Sequence, residues 1–71
     1  MKIKAGEVWK ITSRMFDGVI KLNENIDTKK DSFFEAKVVE GTKHYLNRES
    51  KEKDSIISFR TTLTDFIKKL D

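Results

Sequence analysis

The sequence contains no cysteine and no proline, only three glycines and a single histidine. Without cysteine there is no disulfide framework, thiolate zinc site or cysteine nucleophile, and without proline there is no proline-rich linker. No apolar run is long enough to cross a bilayer, and residues 1–7 lack the apolar segment of a secretory signal. These absences predict a cytoplasmic protein that does not bind a membrane.

The composition is that of one small folded domain, covering residues 1–71. A chain of this size buries only about 60 % of its unfolded surface, so its core needs most of the large apolar side chains. The 15 Lys and Arg residues exceed the 12 Asp and Glu residues by 3 charges, and residues 1–22 carry the excess. A dedicated nucleic-acid domain usually has a stronger positive bias than this.

Polar and apolar residues alternate between Glu7 and Phe16, which predicts a half-buried strand. Asp17-Gly18 follows and predicts a two-residue hairpin turn, because a type I′ turn needs positive φ at both central positions. In that register Arg14 lies opposite Lys21. The predicted inner face carries Trp9, Ile11, Met15, Ile20 and Leu22. The predicted outer face carries Lys10, Thr12, Arg14 and Lys21, with Phe16 and Val19 at the tip of the hairpin.

Three further strands are predicted over residues 33–39, 43–48 and 55–60, after a polar loop over residues 23–32. The C-terminal end changes period, because its apolar residues are spaced as on one face of a helix. Those residues are Leu63, Phe66, Ile67 and Leu70. The sequence therefore predicts a C-terminal α-helix over about 62–70.

Five short antiparallel strands and one helix predict a mainly β fold, either a small SH3-like barrel or a strongly bent sheet with the C-terminal helix. The helix would close one open end of the barrel or cover the exposed apolar face of the sheet. The alternative is an α+β arrangement, in which one helix packs across a flatter antiparallel sheet.

Several segments resemble a group of small phage and mobile-element proteins. They are the opening Gly6-Glu7-Val8-Trp9, the mid-chain Ala36-Lys37-Val38-Val39, Tyr45-Leu46-Asn47-Arg48, and the closing stretch from Leu63 to Leu70. In that group a short β-barrel follows a Gly-acid-X-Trp start and a Phe-containing helix closes it, so the resemblance implies an SH3-like fold. The layout is also similar to the small basic archaeal chromatin proteins, which are richer in lysine and carry their aromatic residue on the exposed sheet face.

No arrangement of residues predicts catalysis. His44 is the only histidine and has no ligand partner at metal spacing, while zinc sites use three or four nitrogen or sulfur ligands. No serine lies in a nucleophile-elbow pattern, and no glycines form a phosphate-binding loop. We expect a non-catalytic protein with no metal, no cofactor and no small-molecule substrate.

The predicted hairpin face is the first candidate site. Arg14 opposite Lys21, with Lys10 further along the same face, places like charges together at a cost in stability. A bound anion would neutralise them. This predicts DNA or RNA binding through Lys10, Arg14 and Lys21, with Phe16 stacking on a base. The alternative is a solvated face without a ligand.

The second candidate site is a set of apolar residues on the outward side of their strands. Its members are Phe16, Val19, Phe33, Val39 and Ile56. If they adjoin, they form a patch for a protein partner or a homodimer, and the protein would be an adaptor or inhibitor. Alternatively, strand bulges reverse the alternation and bury some of them in a second small core, since Phe33 and Phe34 cannot both face one side.

Overall fold

The computed structural model describes all residues from Met1 to Asp71, and its regular secondary structure is almost entirely strand. The strands are β1 (Lys2–Ile3), β2 (Val8–Ser13), β3 (Phe16–Leu22), β4 (Ile26–Asp27), β5 (Phe33–Tyr45), β6 (Arg48–Glu52), β7 (Ile56–Arg60) and β8 (Thr64–Lys69). One turn of 3-10 helix, Thr61–Leu63, joins β7 to β8. The prediction of a small β-rich domain is confirmed.

Strand β5 organises the sheet, because its 13 residues pair with three other strands. Along one edge it pairs with β3. Along the other edge its first half pairs with β7 and its second half with β6. Strand β2 lies between β3 and β8, every pairing is antiparallel, and β1 and β4 form a separate two-stranded sheet.

The predicted SH3-like barrel is wrong. No ladder joins β7 to β8, so the sheet stays open, with β6 and β7 along one edge and β8 along the other. The predicted C-terminal α-helix is wrong as well, both as the plug of a barrel and as a helix packed across a flatter sheet. Residues 64–69 instead form the edge strand β8.

A bulge explains why the end of the chain has helical spacing. The ladder pairs Ile11 with Phe66 and Lys10 with Lys68, so Ile67 is an extra residue without a partner. Phe66 packs against the core while its neighbour Ile67 is exposed. Two adjacent apolar residues in a bulged strand therefore reproduce the spacing of a helical stripe. β-branched threonines just before them favour extended backbone.

The first hairpin turns three residues earlier than predicted. Ser13 pairs with Phe16, so the turn is Arg14-Met15 and the Asp17-Gly18 pair lies inside β3. Arg14 is therefore not opposite Lys21, which pairs with Val8 on β2 instead. Met15 is exposed in the turn rather than on the inner face. Phe16 is buried, with 2 % of its surface exposed, rather than at an exposed tip.

Close packing around Gly18 explains this register. Gly18 pairs with Gly41 of β5, and a Cβ at Gly18 would lie 2.5 Å from the Cα of Gly41 and 2.9 Å from Cζ of Phe16. A Cβ at Gly41 would likewise meet the Phe16 ring and lie 2.7 Å from the carbonyl oxygen of Asp17. Gly18 is thus required for the approach of two strands beneath an aromatic ring, and does not serve as a turn residue.

The core is a chain of aromatic rings that joins five strands. Ring centroids lie 5.5 Å apart between Phe16 and Phe59, 5.6 Å between Phe59 and Phe34, and 5.9 Å between Phe34 and Phe66. Trp9 meets the edge of Phe66 at 5.6 Å. Aliphatic side chains fill the space around these rings, namely Ile3, Ile11, Ile20, Leu22, Ile26, Ala36 and Val38.

Replacing Gly18 with alanine tests this packing. The added methyl group would force the two strands or the Phe16 ring apart. We expect a loss of about 2 to 3 kcal/mol or more in the free energy of unfolding, with a Tm lower by about 10 °C or more. Ser58→Ala, on the exposed side of β7, is the control and should change stability by less than about 0.5 kcal/mol. An equal Tm for the two variants would contradict the account.

Candidate nucleic-acid interface

Four exposed lysines from four strands lie on the outward face of the sheet. Lys10 and Lys21 each sit next to a buried isoleucine, so their side chains point away from the core. Lys68 pairs directly with Lys10, and Lys37 pairs directly with Lys21. Cross-strand partners share a face of the sheet. We call Lys10, Lys21, Lys37 and Lys68 the lysine face.

The lysine face consists of two pairs of like charges with little compensation. Only Lys37 makes an ion pair, at 3.9 Å from its Nζ to Oδ1 of Asp54. Lys10, Lys21 and Lys68 have no carboxylate within 4.0 Å. Like charges directly opposite each other destabilise a sheet. The face is therefore a compact cluster of four cationic side chains.

Three of the five apolar residues predicted for a protein interface lie beside these lysines or near them. Val19 is half-buried and pairs with Lys10, and Ile56 is exposed and pairs with Lys37. Val39 is exposed at the bulge of β5, where the ladder passes from Val38 to Glu40. Apolar and cationic side chains are thus mixed on the outward face and do not form a continuous apolar patch.

Phe33 and Arg14 belong to a different surface. Both line an open groove of about 600 Å³ together with the exposed Met15, Leu46 and Leu63. Phe33 is 70 % exposed, so the expectation that a bulge buries it in a second core is wrong. It pairs with Arg60 while Ile56 pairs with Lys37, so Phe33 and Ile56 do not adjoin.

A bidentate ion pair with Asp31 holds Arg60, one of the residues that line this groove. Nε and Nη2 of Arg60 donate to the two oxygens of Asp31 at 2.8 and 2.7 Å, and Thr62 donates to the same carboxylate at 3.2 Å. The Arg60 guanidinium holds the pKa of Asp31 below its usual value, and Asp31 in turn raises the pKa of Arg60. The Arg60 guanidinium also lies 5.6 Å from the centre of the Phe33 ring.

His44 belongs to a polar network on the surface of the sheet. Its Nε2 lies 3.1 Å from Oδ2 of Asp17, and its Nδ1 lies 3.6 Å from Oε1 of Glu49. Asp17 also accepts a hydrogen bond from Thr12. No group of three or more histidine, cysteine, aspartate or glutamate side chains is arranged to hold a metal ion.

The sequence predicted that Lys10 and Lys21 lie on an outward face but did not bring them together with Lys37 and Lys68. Lys68 was missed because residues 62–70 were predicted to form a helix. Lys37 was not linked to Lys21 because no local sequence pattern indicates that β3 pairs with β5. Arg14 and Phe16, which were predicted to share the site, lie in the groove and in the core. The alternation within a strand could predict which individual lysines face outward. Which lysines lie next to one another depends on the order of the strands in the sheet.

Comparison with known proteins gave no matching family model, curated protein or solved structure. The resemblance to phage and mobile-element proteins therefore stays a prediction. No helix in the structure is both long enough and apolar enough to span a membrane.

The Asp31–Arg60 pair predicts a dependence of stability on pH. A carboxylate with a lowered pKa in the folded state stabilises the protein above its usual value of 3.8, and this contribution is lost as the pH falls through the lowered pKa. Asp31→Asn should therefore lower the Tm at pH 7, and the difference from wild type should disappear well below pH 3.8. Glu24→Gln, on an exposed acid without an ion pair, should leave the Tm unchanged at both pH values. If the Tm of Asp31→Asn stays below that of the wild type at low pH, the ion pair is not the cause of the difference.

Proposed function

We propose that this protein is a small, non-catalytic nucleic-acid-binding module that holds phosphate groups on its lysine face. The strongest support is that lysines lie directly opposite each other on neighbouring strands at two places, Lys10 with Lys68 and Lys21 with Lys37. A marginally stable domain retains such pairs at a cost in stability, and bound phosphates would remove the repulsion. A cytoplasmic setting, based on the absence of cysteine, is part of this proposal.

The chemistry of the face favours contacts with the backbone of a nucleic acid rather than with particular bases. Lysine is a flexible point charge that attracts phosphate without the planar fork that arginine offers to guanine. Lys10, Lys21, Lys37 and Lys68 can neutralise about four phosphates, which gives weak, strongly salt-dependent binding with little sequence preference. Phe16 is buried and takes no part in it.

The second candidate function is binding of a protein partner at the groove beside Phe33. The exposure of Phe33, at 70 %, favours it, because an exposed phenylalanine next to other exposed apolar side chains is a frequent anchor point for partners. Such a partner would remain bound at salt concentrations that release nucleic acid, and Phe33→Ala would abolish the binding.

Replacement of one lysine pair tests the proposed function. We expect Lys10→Gln with Lys68→Gln to weaken oligonucleotide binding and to reduce the slope of log affinity against log salt by about 1.4 to 1.8, since each phosphate contact contributes about 0.7 to 0.9. The measurement is fluorescence anisotropy of a labelled oligonucleotide at several salt concentrations. The substitution also relieves repulsion, so we expect the variant to fold, and thermal unfolding checks this.

The matched control is Lys29→Gln with Lys30→Gln, which removes the same charge from the exposed loop after β4. It should leave the salt slope unchanged within error. If the Lys10 and Lys68 variant keeps the wild-type slope, or if both double variants lose the same amount, the lysine face is not the binding site.

A further inference from the structure

The hairpin of β5 and β6 carries a second cationic surface beyond the core. Tyr45 pairs directly with Arg48, and Lys43 pairs with Ser50, so Lys43, Tyr45 and Arg48 share one face of this hairpin. Lys43 also pairs with the buried Phe16, which places it on the core side of the sheet, opposite to the lysine face. We call Lys43, Tyr45 and Arg48 the hairpin face.

The hairpin face combines an exposed aromatic ring with two cations that have no partner. Tyr45 is 57 % exposed, and it is the only tyrosine of the chain. Neither Lys43 nor Arg48 has a carboxylate within 4.0 Å. These residues line a shallow depression of about 350 Å³, whose one carboxylate, Glu52, accepts a hydrogen bond from Ser55 at 3.1 Å.

We propose that the hairpin face is a subsite for single-stranded nucleic acid, in which one base stacks on the ring of Tyr45. This inference rests on the proposed function and adds the form of nucleic acid that is bound. An aromatic ring beside cations is how proteins bind single strands without reading sequence, because every base has a π face and every nucleotide a phosphate. Lys43 and Arg48 hold the phosphates that flank the stacked base.

The separation of the two surfaces favours a single strand over a duplex. Lys37 on the lysine face and Lys43 on the hairpin face are six residues apart on β5, which is about 20 Å along an extended strand. The two surfaces lie on opposite sides of the sheet, in a molecule whose smallest extent is 18 Å. Duplex DNA is stiff over about 50 nm and cannot pass from one side to the other. A flexible single strand contacts both.

Replacement of Tyr45 tests the subsite, with a labelled 20-nucleotide oligo(dT) and a 20-base-pair duplex as the probes. Loss of one stacked base predicts that Tyr45→Leu weakens oligo(dT) binding by about fivefold or more. Tyr45→Phe keeps the ring and should bind oligo(dT) as the wild type does. The salt slope of Tyr45→Leu should equal that of the wild type, because stacking releases no counterions.

Leu46→Ala is the matched control, since Leu46 is the neighbouring residue at the hairpin tip and is 86 % exposed. It should bind both probes as the wild type does. Thermal unfolding should show that all three variants fold, because these side chains lie on the surface.

The outcomes separate this inference from the proposed function. Wild-type affinity of Tyr45→Leu for oligo(dT), or an equal loss of oligo(dT) and duplex binding, would overturn the subsite while leaving the lysine face in place. If Tyr45→Leu weakens oligo(dT) binding as expected but the Lys10 and Lys68 double variant keeps the wild-type salt slope, only the lysine face is overturned. No binding of either probe by the wild type at low salt would overturn both.

Discussion

The close approach of Gly18 and Gly41 beneath the ring of Phe16 is the constraint on which the rest of this structure depends. It sets the register between β3 and β5, and through β3 it sets the position of the turn at Arg14-Met15. Phe16 is the first ring of the aromatic chain that crosses the sheet to Trp9. A domain with so small a core depends on such packing, because few other interactions can replace it.

The same register produces the surface that we propose binds nucleic acid. With Gly18 held opposite Gly41, the bulge at Val39 places Lys21 opposite Lys37. The ladder between β2 and β8 places Lys10 opposite Lys68. Strands chosen for stability alone would carry opposite charges at these positions. The core and the site are therefore linked through one set of strand pairings, and the repulsion on the outer face is tolerated because the aromatic core stabilises the sheet from the inner face.

Alternation of polar and apolar residues was enough to predict a small β-rich domain, the burial of Ile11, Ile20 and Leu22, and the outward direction of Lys10 and Lys21. It failed where a local pattern had two physical explanations. Asp17-Gly18 is a common turn pair, yet Gly18 is needed for close strand approach, which no neighbouring residue reveals. The helical spacing near Phe66 comes from a bulge. The candidate site was predicted only in part, because long-range strand order decides which lysines meet.

The most direct test of this account is an NMR measurement of the strand register in the isolated protein. The structure predicts nuclear Overhauser contacts between the backbone protons of Gly18 and those of both Ile11 and Gly41, since these residues are paired. It also predicts that Ser13 contacts Phe16 across the turn. Contacts of Phe16 with Val19 and of Ser13 with Leu22 would instead show a turn at Asp17-Gly18. That result would move the Lys10–Lys68 pair away from the Lys21–Lys37 pair along the sheet, and it would contradict both the fold and the proposed interface.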